Sequence, residues 1–382
     1  MKSRICDMLG IEFPLLAFSH CRDVVVAVSK AGGMGVFGAV SLSPEKLKEE
    51  LNWIDEHVDG MPYGIDLIVP NKFEGKGKEV SSDQILNAIP QGHRDFAKGI
   101  LADYNIETDG LDDISEGAKQ FRKSLSDEGA ATSLEVAFEH PIKLVANALG
   151  VPPKVMLDMG KKHNVAVAAL VGAKEHAIKQ VEAGVDILVA SGGEAGGHCG
   201  DVSTMVLIPE VYKAIQEIKD VPILAAGGIT TGSQMAAAMS MGASGAWCGS
   251  VWLTTSEAET NPVVKEKMLA ASSRDTVRSK SRTGKNSRQL RSPWTDAWEN
   301  KGPEPLPMPL QSLVSEPALK KIDKLSQGGH EGAKELATYW VGQGVGLMKQ
   351  SMSSGAVVQE FKEDFAEAYE SCLLYTSDAA DE

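Results

Sequence analysis

The 382-residue chain is 43% hydrophobic and 24% charged, proportions that fit a globular protein and exclude a disordered or fibrous one. With 52 acidic against 38 basic side chains, its formal charge of −14 argues against nucleic acid or an anionic membrane as the main partner. No run approaches about 18 uninterrupted apolar residues, and the first residues lack a signal-peptide core. The five cysteines (Cys6, Cys21, Cys199, Cys248, Cys372) show no CxxC spacing, so a cytoplasmic protein with reduced thiols is expected.

Short apolar runs alternate with helical patterns from residue 14 onward. Strands are predicted at 14–18, 34–40, 63–69, 142–146, 165–171, 187–190, 223–226 and 245–253. Helices are predicted at 23–31, 173–183 and 233–241. Another opens at Ser43-Pro44, a capping hydroxyl followed by proline in the first turn, with Leu47, Leu51, Ile54 and Val58 at helical spacing. Eight strands alternating with helices predict an α/β fold, a (β/α)8 TIM barrel over residues 1–255, with its chemistry at the C-terminal strand ends.

The alternation fails at 70–132. This segment carries Asp103, Glu107, Asp109, Asp112, Asp113 and Glu116, and reads as an acidic, partly helical insertion after strand three, either simply solvated or a lid over the barrel mouth. Residues 256–372 read as a C-terminal helical extension packed on the barrel. Residues 373–382 change character abruptly and read as a non-native tail, a read-through or cloning scar.

Gly33-Met34-Gly35-Val36-Phe37-Gly38 satisfies GxGxxG, but the dinucleotide fingerprint needs a strand before the glycines and a helix after them. Here a helix precedes and a strand follows, so the glycines read as a helix stop and a tight turn. The informative loop is 191–200, Ser-Gly-Gly-Glu-Ala-Gly-Gly-His-Cys-Gly, which follows an apolar strand and holds His198 among five glycines. Glycine lets backbone approach a ligand closely, and histidine is the side chain that titrates nearest neutral pH. His198 therefore reads as an active-site residue rather than a core histidine. Two further loops, Gly227-Gly228 before a helix N-terminus and Gly249-Ser250, fall after strands seven and eight, where barrels of this class bind phosphate.

Taken in order, Gly10–Pro14, Ala27–Gly35, Glu194-Ala195-Gly196-Gly197-His198, Ala226–Ile229, Gly249-Ser250 and Gly342-Gln343-Gly344 give a sequence that resembles the nitronate monooxygenase family, FMN-dependent (β/α)8 enzymes formerly called 2-nitropropane dioxygenases. The resemblance implies that His198 removes the proton α to a nitro group and that O2 is the co-substrate. It implies FMN contacts from Asp66, Ser191, Gly196, Gly228, Trp247, Cys248, Gly249 and Ser250, with Gly228, Gly249 and Ser250 nearest the phosphate. Asp66 stands where many members carry Asn, Ser191 where many carry Gln, and Trp247-Cys248 where Gln-Met is usual. No Pro-Met pattern accompanies Ala17–His20.

An NAD(P)H-dependent flavin reductase, resembling enoyl-acyl-carrier or quinone reductases, would share this barrel, and a non-catalytic flavin-binding barrel is a third reading. Cys199 as a nucleophile, as in inosine-monophosphate dehydrogenase, lacks that family's loop. The basic tract 278–291 reads as a solvated loop that balances the acidic insertion or meets an anionic ligand. His20, His140 and His330 lack metal-ligand spacing, so no metal is assigned, and a homodimer is left open.

Overall fold

The computed structural model describes residues 3–40, 42–69, 88–111 and 127–378. Eight parallel strands close into a barrel: β1 (Leu15–Ser19), β2 (Met34–Gly38), β3 (Gly64–Leu67), β4 (Leu144–Asn147), β5 (Ala166–Val171), β6 (Ile187–Ser191), β8 (Ile223–Ala226) and β9 (Gly245–Cys248). The two-residue strand β7 (Gly197–His198) lies outside it. Side chains alternate across the barrel wall as a period of two requires. Leu16, Met34, Val36, Leu144, Ala146, Ile187, Val189, Leu224 and Trp247 pack together on the inside. Leu15, Ala17, Phe37, Ile65, Val145, Leu188 and Cys248 face the helices.

Helix α1 (Arg4–Leu9) closes the N-terminal end, burying Ile5, Cys6 and Leu9 in the inner cluster. Ser3 caps it and donates its hydroxyl to Ser244 O at 2.7 Å. The wall is made by α2 (Arg22–Lys30), α3 (Pro44–His57), α5 (Asp127–Phe138), α6 (Lys154–His163), α7 (Lys174–Ala183), α8 (Thr204–Gln216) and α9 (Gly232–Ser240). Ser43 caps α3 as its sequence predicts, accepting from Lys46 N, and Leu47, Leu51 and Ile54 form the buried face. The glycines of the false dinucleotide motif serve packing: a Cβ on Gly35 would lie 2.3 Å from Val25 O of α2.

Two expectations need correction. The eighth strand stops at Cys248, and residues Ser250–Thr254 form a 3-10 helix in place of its predicted end. The C-terminal region is largely helical and packs on the barrel as expected, and it also completes the wall. Its last helix, α14 (Ser354–Asp378), lies between α9 and α2 and is the eighth wall helix, with Val357, Val358 and Phe361 in the outer barrel core. The residues between β9 and α14 include a hairpin, β10 (Thr276–Ser279) and β11 (Ser287–Leu290), besides α10 (Pro262–Ala270), α11 (Pro293–Lys301), α12 (Leu310–Gln327) and α13 (Glu331–Leu336).

The second correction concerns the insertion. Its α4 (Gln91–Asp103) is not merely solvated: Ala97, Ile100 and Leu101 share a second core with Trp294, Trp298, Val314 and Leu319. Phe96 meets Trp298 edge-on at 4.9 Å, and His93 Nε2 lies 3.0 Å from Glu304 O. Helix α5 ends the excursion as wall. The proposed lid at residues 70–87 and 112–126, with Asp112, Asp113 and Glu116, lies outside the described residues, as do 379–382 of the tail. Among the described residues no helix is long and apolar enough to cross a membrane.

Candidate active site

The glycine loop leaves β6 at the C-terminal end of the barrel and is held from every side. Gly193 N donates to Val202 O at 2.7 Å, and Arg288 of β11 donates to Gly193 O through Nε at 3.0 Å and a terminal nitrogen at 2.8 Å. The Glu194 carboxylate accepts from Thr204 N and Thr204 Oγ1, at 2.9 and 3.0 Å, which places its charge at the N-terminus of α8. Gly196 crosses the C-terminal segment so closely that a Cβ would lie 2.8 Å from Gly342 N. Gln343 N donates to Glu194 O at 2.9 Å, and Gly342 N donates to Ser250 Oγ at 2.8 Å. A Cβ on Gly344 would come 2.8 Å from Gly228 O, so the Gly-Gln-Gly segment braces the loops after β6, β8 and β9 together.

His198 is not a free loop residue. It lies in β7, which pairs antiparallel with β11, Ser287 opposite His198 and Arg288 opposite Gly197. Its Nε2 lies 2.8 Å from Thr283 Oγ1, and its ring is 6.4 Å from that of Trp340. The side chain keeps solvent access. Protein packed around the ring, then the positive charges of Lys285 and Arg282, lower its pKa below the ordinary histidine value.

Inside the mouth, Ser191 pairs with Ala226 and Ala226 with Trp247, which puts Ser191 and Trp247 on either side of one small residue. Phe18 stacks on Trp247 with centroids 6.3 Å apart. Asp66 stands between Gly38 and Ala146 in the register, 2% exposed, with no hydrogen-bond partner for Oδ1 among the described residues. Burial alone raises its pKa well above the ordinary carboxylate value, which favours the protonated form.

Two site expectations change. The Cys248 thiol packs on the outer, helix-facing side, where burial raises its pKa, so only its backbone borders the mouth. The N-terminus of α9 is already used: Thr231 accepts from Gln234 N, and Asp364 of α14 accepts from Ser233 N at 2.8 Å. The 3-10 helix at Gly249-Ser250 has no side-chain cap, and a Cβ on Gly249 would touch only Phe18, at 3.9 Å. That leaves the turn after β9 uncapped beside Gly228, whose φ of +73° needs glycine.

Sequence reasoning missed the hairpin as part of the site. Arg278 pairs with Asp201, Lys280 with Glu304, Arg282 with Glu316 and Arg291 with Asp296, so these cations are neutralised by residues outside the acidic insertion. Arg282 is 7% exposed and lies 3.9 Å over the Trp340 ring. Cys199, beside His198, has its thiol pKa raised by burial, against the opposing pull of Arg288 and Arg278, which disfavours a nucleophile there.

The nitronate monooxygenase family model matches residues 2–364. The chain belongs to the nitronate monooxygenase family. A Mycobacterium tuberculosis protein described as a monooxygenase is 50% identical over 96% of both chains. A Staphylococcus saprophyticus protein described as a nitronate monooxygenase is 26% identical, covering 94% of this chain and 96% of its own. Among solved structures, nitroalkane oxidase from Streptomyces ansochromogenes superposes with a TM-score of 0.78 at 22% identity, over 96% of this chain and 99% of that one. FabK from Thermotoga maritima gives 0.71 at 25%, over 98% and 99%.

Membership makes the protein an oxidoreductase that works with a flavin. Residues at the mouth fit a flat flavin ring with a charged tail: the uncapped Gly249-Ser250 turn, the positive-φ Gly228, and the orphaned inward Asp66 Oδ1. A large apolar groove of about 650 Å³ elsewhere, lined by Phe13, Lys362, Phe365 and Tyr369, lies at the N-terminal end of β1, away from this chemistry.

Proposed function

We propose that the enzyme oxidises alkyl nitronates and their parent nitroalkanes, with FMN as its flavin, O2 as co-substrate and His198 as the base that takes the α-proton. The observation that carries this reading is the placement of His198 at the rim of the flavin-family mouth, where nearby protein and two cations lower its pKa. Nitroalkanes are carbon acids, and a neutral imidazole is matched to accept their proton near neutral pH. FMN, when bound, supplies the redox chemistry that carries electrons from the nitronate toward O2.

The chain does the rest. Gly228 and the Gly249-Ser250 amides hold the phosphate, and Trp247, Ser191 and Phe18 shape the mouth around the ring. Burial favours the protonated form of Asp66, which offers a hydrogen to donate where a charge would oppose an electron-rich ring. Lys285 and Arg282 favour the negative charge that develops on the nitro oxygens as the C–H bond breaks.

The test is His198→Asn. Turnover of neutral nitroalkane should fall by about 10²-fold or more, with FMN content and turnover of pre-formed nitronate retained. Equal loss on both substrates overturns the base assignment. An anaerobic titration separates the reading from a nicotinamide-dependent reductase: nitronate should bleach the flavin, and NADH or NADPH should not.

A further inference from the structure

We propose that Thr283 is a positioning residue that fixes the tautomer of His198 and makes Nδ1 the atom that takes the substrate proton. This rests on His198 being the base. Thr283 Oγ1 has three neighbours: His198 Nε2 at 2.8 Å, Lys285 O at 3.2 Å and Lys285 N at 3.3 Å. A hydroxyl gives one hydrogen and accepts at two lone pairs. The Lys285 carbonyl can only accept, so it takes the hydroxyl hydrogen, and the Lys285 N–H occupies one lone pair. One lone pair remains, and it matches an Nε2–H on His198. In that arrangement every group is satisfied, whereas a hydroxyl donating to Nε2 would forfeit its bond to the Lys285 carbonyl.

The imidazole lone pair then lies on Nδ1, which has no partner among the described residues. When Nδ1 takes a proton from carbon, the Nε2–H bond to Thr283 stays in place and strengthens, because its donor becomes charged. The substrate C–H electron pair remains with the nitronate, and the proton resides on the ring.

Thr283 can hold this orientation because its own turn is immobilised. It is 5% exposed. Next to it, Gly284 adopts φ +83°, with Leu306 O so close that a Cβ would lie 2.0 Å away. On the other side, Ser315 Oγ donates to Arg282 O, and the Arg282 guanidinium is paired with Glu316.

The experiment compares Thr283→Val and Thr283→Ser holoenzymes with wild type. It records the pH profile of kcat/KM with nitroethane, and 15N NMR of histidine-labelled protein with His198 assigned by its loss in His198→Asn. Wild type should show the Nε2–H tautomer. Thr283→Val removes an acceptor that favours the imidazolium, so the acidic limb should move to lower pH and nitroethane kcat/KM should drop by about tenfold. Flavin reduction by pre-formed nitronate should be unchanged, and Thr283→Ser should restore both the limb and the rate. An Nδ1–H tautomer in wild type, or a limb that moves upward in Thr283→Val, overturns the proposal. NMR reads the ring without turnover, so the correct tautomer in an enzyme inert toward nitroethane would sink the functional reading alone.

Discussion

Asp364 Oδ2 accepts a 2.8 Å hydrogen bond from the backbone N–H of Ser233, joining the last wall helix to the first turn of α9. The carboxylate acts as a cap delivered from 131 residues away, and it sits where the helix dipole is positive. Beside it, Gly232 touches α14 so closely that a Cβ would lie 2.1 Å from Phe361 O, and the Phe361 ring stacks on Trp252 at 6.5 Å.

Closure of the barrel therefore depends on α14. Asp364→Ala should cost about 1 kcal/mol, as loss of a helix cap does. Phe361→Ala, at a side chain 2% exposed, should cost about 3–5 kcal/mol. A chain ending before Ser354 should lack cooperative thermal unfolding. Calorimetry of the three variants checks this, and a truncated chain that melts like the full one would show that the wall closes without α14.

The barrel was legible because each buried strand is a short apolar run bounded by turn residues, and all eight runs predicted from sequence overlap a barrel strand. The second core was not, because its contacts join residues about 200 positions apart, such as Phe96 with Trp298 and His93 with Glu304. No local period announces that pairing. The same holds for α14, whose helical pattern is clear but whose place in the wall is set by tertiary contact. The loop holding His198 and the loops after β8 and β9 stood out in the sequence by glycines, several of which the structure uses for close backbone approach. Thr283 was hidden in a tract whose charges suggested solvent, although the cations at 278, 280 and 282 alternate with Ser279 and Ser281 as a strand edge would. Alternation also assigns Cys248 to the outer face once Trp247 is placed inside.

Asp66 offers a stability test independent of turnover. Its folded pKa is raised by burial above the unfolded value of about 3.9. The folded state thus holds this proton more tightly, a contribution fully present below about pH 3.9 and lost as pH rises toward the folded pKa. Asp66→Asn keeps the shape and removes the titration. The Tm of flavin-free Asp66→Asn should match wild type near pH 4 and exceed it increasingly above that. Parallel Tm profiles across this range would mean that Asp66 is ionised without penalty in the mouth.

Lys285 acts on His198 through charge alone. It is exposed, and no ion pair joins it among the described residues, unlike the other cations of the hairpin at 278, 280, 282 and 291. Its positive charge disfavours the imidazolium, which places it second only to burial in lowering the His198 pKa. Lys285→Gln should therefore raise that pKa and move the acidic limb of nitroalkane kcat/KM to higher pH, opposite to the shift expected for Thr283→Val. Because the ammonium is solvated, the displacement should be modest and should shrink as ionic strength rises from about 0.01 to 1 M, where the screening length falls from about 30 to 3 Å. Profiles at the two salt concentrations decide the matter: a limb that stays fixed in Lys285→Gln at low salt would remove Lys285 from the electrostatics of the base and leave burial and Arg282 to account for its neutral state.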